Sequence, residues 1–145
     1  MSEQEYNKTK EAFQQATEKY KHLNQVIDEF KFEVISTLDN LWLEGSKMKN
    51  SVPFYWNKII TGDYLILTIQ NINGDSIEDT FSHLGIDIKD GNLYFEQAKA
   101  FANYHCRESV INVIKKFFEL NKIEYKTCGL GYDITVDKAF EVTIK

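Results

Sequence analysis

Large apolar residues recur at a helical period through the first third of the chain. After Tyr6 they fall at Phe13, Ala16, Tyr20, Leu23, Ile27, Phe30, Val34 and Leu41. The spacings alternate three and four as far as Val34 and then jump a heptad, with Thr9 and Thr37 in the two heptad positions left over. No proline or glycine precedes Gly45. The pattern therefore predicts one amphipathic helix over residues 1–45, with Gly45 as its stop. Such a helix is roughly 60 Å long, whereas a domain of this size has a radius of gyration of only about 15 Å. Either it breaks, with His22-Leu23-Asn24 weakest by propensity, and both pieces lie on the core. Or its first half, with Tyr20, Leu23 and Ile27 on the seam, meets another chain while residues 26–45 pack on the domain.

The period then changes. Phe54–Ile60 and Tyr64–Gln70 alternate apolar and polar residues around Thr61-Gly62-Asp63 and predict a strand pair. Asn73–Asp75 is a turn signal. Ser76 suits the cap of a short helix over Ile77–Leu84, closed by Gly85, with Glu78 and Asp79 in its first turn. Asp90-Gly91 predicts a hairpin or loop. The stretch from Ala98 to Cys106 reads as a strand, because its register breaks at Arg107-Glu108. Ser109 then suits the cap of a helix whose apolar stripe is Val110, Ile111, Ile114, Phe117 and Phe118, ending near Asn121. Strands Ile123–Thr127, Tyr132–Val136 and Phe140–Ile144 complete the reading.

The portion ending at Gln70 thus reads helix–strand–strand, and the portion from Ala98 reads strand–helix–strand–strand. The expected fold is a two-layer α+β domain over residues 46–145. Two pseudo-repeated helix–strand–strand halves share one antiparallel sheet, and the long N-terminal helix precedes them.

The closing stretch resembles GyrI-like effector-binding domains. The matching features are Tyr104-His105-Cys106 at a strand end, the helix Val110–Leu120, the glycine loop Gly129–Gly131 and the last pair from Ile134 to Ile144. The resemblance implies a groove between two half-sheets that holds a small apolar or cationic ligand against aromatics and a buried acid. Under that resemblance the candidate lining here is Trp56, Tyr104, Tyr132 and Asp133. The family's acid usually follows a Gly-Pro pair, whereas Asp133 follows "GLGY".

Composition narrows the function classes. The 145 residues are 43% hydrophobic and 14% aromatic, with one proline and seven glycines. That is ample material for one core. The net charge of −5 argues against nucleic acid, whose binding needs clustered Lys and Arg. A basic protein fits better, with Asp75, Glu78 and Asp79 as its candidate contacts beside Tyr20, Leu23 and Ile27. No apolar run reaches the roughly 20 residues of a membrane span, and "MSEQEYNKTKEAF" is no secretory signal. Cys106 and Cys128 lack a disulfide-framework spacing and read as free thiols of a reducing cytoplasm.

Chemistry has little to grip. His22, His83 and His105 are scattered without ligand spacing, so neither a metal nor another cofactor is expected. His105 and Cys106 are adjacent and would point to opposite faces of a strand, which rules them out as a nucleophile–base pair. The expectation is a non-enzymatic cytoplasmic protein that binds a protein partner as an inhibitor, immunity or accessory factor, or else forms a homodimer through its first helix. A small-molecule sensor is the alternative. A hydrolase is the third class, and it needs an acid and a tyrosine converging in the groove.

Overall fold

The first residues cap their own helix. Ser2 accepts a hydrogen bond from the Glu5 amide at 3.1 Å, one half of the S-x-x-E capping pattern. The acids Glu3 and Glu5 lie in the first turn of helix α1, Glu3–Glu18, where they complement its dipole. The computed structural model describes residues 2–48, 52–74, 81–100 and 106–124.

The predicted 45-residue helix does break near His22-Leu23-Asn24, but the chain after the break is not helical. A 3₁₀ turn, Lys21–Leu23, leads into strands β1, Gln25–Ile27, and β2, Phe30–Val34. Asp28, at φ 54°, turns the hairpin between them. Phe30 and Val34 satisfy a helical spacing of four and also a strand spacing of two. Phe32, which the heptad left out, decides between these readings: it is fully buried between exposed Lys31 and Glu33. Phe32 stacks on Phe117 at 4.2 Å between ring centres. A strand buries all three apolar residues, and a helix would have turned Phe32 away.

Helix α2 spans Leu38–Met48 and runs through Gly45 instead of stopping there. Met48 is fully buried one turn later, so burial outweighs the roughly 1 kcal/mol helix penalty of glycine. The expected strand Phe54–Ile60 is instead a 3₁₀ turn, Val52–Tyr55, followed by helix α3, Trp56–Ile60. Pro53 belongs in such a first turn. The helix ends in a Schellman cap: Gly62 donates to the Ile59 carbonyl and Asp63 to the Lys58 carbonyl, both at 3.0 Å. Gly62 has φ 82°, which a side chain resists.

Strand β3, Tyr64–Asn71, forms where the alternation predicts it. The residues expected to form the helix end at Leu84 are strand as well: β4 covers Phe81–Lys89. Leu84, Ile86 and Ile88 alternate onto the core face, and Gly85 lies mid-strand at a bulge. Asp90 and Gly91, at φ 53° and 77°, make the tight hairpin into β5, Asn92–Ala100. Helix α4, Glu108–Asn121, starts from Arg107 with no side-chain cap, so Ser109 is inside it. Its buried stripe is Ile111, Val113, Ile114, Phe117 and Phe118, with Val110 partly buried against the core.

The described residues form an α+β domain of four α-helices and a five-stranded antiparallel sheet, ordered β1-β2-β3-β4-β5. Helices cover both faces, so there are three layers where two were expected. α4 closes the larger core, over Phe32, Leu67, Leu84, Ile86 and Phe95. Phe13 of α1, Leu38 and Leu41 of α2, and Ile59 of α3 close a smaller core over Tyr64 and Ile66. The second hairpin of the expected repeat, at 132–144, lies outside the described residues.

Candidate functional site

The smaller core covers only part of its sheet face. Rows of directly opposed residues share a face, and the register sets Glu33, Thr68, His83 and Lys99 in one row across β2 to β5. Thr68 and His83 are buried, at 9% and 3% exposure. A polar seam therefore crosses a face that is apolar at Ile66, under the helices.

Glu44 of α2 reaches down to this seam. Its Oε2 lies 3.1 Å from His83 Nε2, and its Oε1 lies 3.1 Å from Lys47 Nζ. An ionised carboxylate only accepts hydrogen bonds, so His83 donates through Nε2. Lys47 also sits 3.6 Å above the centre of the Phe81 ring. Burial works to raise the Glu44 carboxyl, but the hydrogen bonds from His83 and Lys47 outweigh it and hold the group below its ordinary value of 4.5.

That shift has a sign in stability. A folded-state value below the unfolded one contributes stability in full above about pH 4.5, and the contribution is lost as pH falls through the depressed folded value. Acid titration of the wild type should show this loss, followed by circular dichroism. Glu44→Gln should lower stability at pH 7 and flatten the decline below pH 4.5; an unaltered acid limb would remove Glu44 from the linkage.

Beside Glu44 a cavity of about 200 Å³ opens between β2, the loop into α2, and α2 itself. Its polar lining is Asn24, Glu33, Ser36, Asn40, Glu44 and Thr68. The Asn24 side chain accepts from the Val34 amide at 2.7 Å, which ties the 3₁₀ turn to β2 and fixes that wall. Thr68 Oγ1 is 3.4 Å from the Glu33 carbonyl, a long contact that leaves its hydroxyl capacity to spare.

A second polar cluster lies at the other end of the face. Tyr64 donates to Glu96 at 2.8 Å, and Gln97 donates to Tyr55 at 3.2 Å. The Tyr55 and Tyr64 rings stack at 4.7 Å. Burial, then Glu96, pushes the Tyr64 phenol well above its ordinary range. Burial also raises the Glu96 carboxyl, against the hydrogen bond from Tyr64 and with the help of the Asp87 charge. The Tyr64 hydroxyl crosses β4 at Gly85, where an added Cβ would lie 1.9 Å from it. This cluster joins the 3₁₀ turn Val52–Tyr55, β3 and β5 across the bulge.

Only some of the residues expected to carry function are among the described ones. Tyr104, Tyr132 and Asp133 of the expected groove lie outside the described residues, as do Asp75, Glu78 and Asp79. Trp56 is half-buried against the smaller core. Tyr20 and Leu23, 9% and 0% exposed, belong to the larger core, and Ile27 packs on it. The Cys106 thiol is pushed up to about 12 by burial, out of the range of a reactive thiolate. Among the described residues no group of three or more His, Cys, Asp or Glu is placed to hold a metal ion, and no helix is long and apolar enough to cross a membrane.

Sequence reasoning passed over Glu33, Glu44 and Thr68. The signal for the seam was present in "FSHLGIDIK", where Leu84, Ile86 and Ile88 alternate with His83, Gly85 and Asp87. Read as a strand, that stretch has one apolar and one polar face.

A family model described as PcfJ-like protein matches residues 1–108. No curated protein and no solved structure matches the chain. The match corrects the resemblance to GyrI-like domains, because the family found is a different one. The features behind that resemblance, an amphipathic helix, a glycine loop and a strand pair, are shared by many α+β domains.

Proposed function

The chain belongs to the PcfJ-like family, and from that premise we propose that it is a non-catalytic module that docks on another protein as an inhibitor, immunity or accessory factor. The observation that carries this reading is the display of large apolar side chains on and beside α2. Trp42 is 45% exposed, Leu43 65% and Phe54 80%. Leu43 points away from the stripe of Leu38, Leu41, Gly45 and Met48 that α2 buries. Phe54 belongs to the 3₁₀ turn that packs on α2. Val26, Ile72 and Leu120 are exposed too, but none of them is aromatic, and scattered exposed aliphatics are ordinary for a protein surface. Tryptophan and other aromatics are the usual anchors of protein interfaces, and the net charge of −5 favours a basic partner.

The test is native co-purification of the tagged chain with Trp42→Ser and Phe54→Ser beside the wild type. Phe54→Ser should unfold within about 0.5 kcal/mol of the wild type, because Phe54 is 80% exposed. Trp42 is more than half covered, so Trp42→Ser should cost about 1–2 kcal/mol and leave the domain folded. The wild type should retain a stoichiometric protein that both variants lose. A wild type that retains nothing, or variants that retain it equally, would end the docking reading.

A further inference from the structure

We propose that the cavity between β2 and α2 is a binding site for a small molecule carrying an ammonium group. It is distinct from the exposed face of Trp42 and Phe54, and it rests on different observations. At about 200 Å³ it is smaller than the roughly 300–1,000 Å³ sites that enclose drug-sized ligands. It suits a charged head group on a short chain.

The chemistry of the lining selects the charge. Two carboxylates arrive from different elements, Glu33 from β2 and Glu44 from α2, and the other lining residues are neutral. Glu33 stands exposed and Thr68 is nine-tenths buried, so a ligand would pass the first acid to reach the hydroxyl and the second. An anion would meet two like charges, whereas an ammonium can donate three hydrogen bonds to such a set.

The donors already present do not close the site. Lys31 Nζ lies 3.9 Å from Glu33, with both side chains about half exposed, a geometry worth little. Lys47 and His83 each hold one oxygen of Glu44. Each oxygen keeps a second lone pair for another donor. These two bonds fix the Glu44 carboxylate before any ligand arrives, and the Asn24–Val34 bond fixes the opposite wall. A site arranged in advance loses less entropy on binding.

The experiment is a titration of the full chain, followed by amide chemical shifts in two-dimensional NMR. Putrescine is the probe, and butane-1,4-diol is its neutral counterpart of the same length. Putrescine should produce saturable shifts at Ser36, Asn40, Glu44 and Thr68 with a Kd on the order of 1 mM, and the diol should not. Glu33→Gln, at an exposed position, should weaken binding about tenfold while leaving the spectrum of the rest of the domain unchanged. Glu44→Gln should weaken it at least as much. The proposal fails if putrescine and the diol shift the same amides equally, if putrescine does not saturate, or if Glu33→Gln binds like the wild type. Binding of N-acetyl-lysine methylamide without putrescine would likewise overturn it, assigning the cavity to a partner's lysine.

Discussion

Leu23→Asp should unfold this domain and leave its oligomeric state with nothing to report. Leu23 is fully buried among Tyr20, Phe30 and Phe32 and the stripe of α4. Truncating a buried leucine to alanine costs about 2–5 kcal/mol, and an aspartate adds a charge within an apolar cluster. The combined loss exceeds about 5 kcal/mol, comparable to the whole stability of a small domain. Leu23→Ala gives the graded control. Urea denaturation by circular dichroism should show Leu23→Ala destabilised by about 3 kcal/mol and Leu23→Asp unfolded in buffer. A folded Leu23→Asp protein with altered sedimentation would instead return this position to an interface between chains.

Gly85→Ala is the second large effect, and its cause lies two strands wide. The new methyl would sit 1.9 Å from the Tyr64 hydroxyl, 2.9 Å from Cζ of its ring and 3.3 Å from the Gln97 side chain. Tyr64 is 1% exposed and stacked on Tyr55, so it has no free direction of retreat. Overpacking of this kind costs about 3 kcal/mol, and displacing Tyr64 also breaks its bond to Glu96. Tyr64→Phe alone should cost about 1–2 kcal/mol through that lost bond. It removes the 1.9 Å contact but not the one at 2.9 Å, so it should rescue Gly85→Ala in part. Urea midpoints of the four proteins give the coupling, expected at about 1–2 kcal/mol. Equal costs of Gly85→Ala in both backgrounds would show that Tyr64 is not the obstacle.

Where one period dominated the local sequence, the reading held. Asp90-Gly91 demanded two positive φ angles and has them. Tyr64–Gln70 alternates without competition and is a strand. The helix after Arg107 carries apolar residues at a single stripe and ends at Asn121, as expected. Where two periods fit the same residues, local pattern could not choose. Tyr20, Leu23, Ile27, Phe30 and Val34 continue the spacing of a helix that stops at Glu18. What ended it was the stacking of Phe32 on Phe117, a partner 85 positions away. The local pattern makes Gly45 and Gly85 both stops, yet one lies inside a helix and the other inside a strand. A glycine marks freedom of the backbone, and only its neighbours in space show whether that freedom ends an element or makes room for a side chain such as Tyr64.

The candidate sites divide in the same way. The sequence alone determined an acidic, aromatic-rich α+β chain with enough apolar residues for a core and a hairpin at Asp90-Gly91, because composition and short-range periodicity are local properties. The alternation around His83 marks a polar face of one strand, but nothing in it shows that Glu33 and Thr68 would stand in the same row, or that Glu44 would reach it from a helix. Nor did it show that Trp42 and Phe54 would be left outside while Leu23 went inside. Those are outcomes of strand register and of which face each helix could bury, and both depend on contacts between residues distant in the chain. Only the tertiary structure decided them, since a side chain becomes core or surface only when its covering partner arrives.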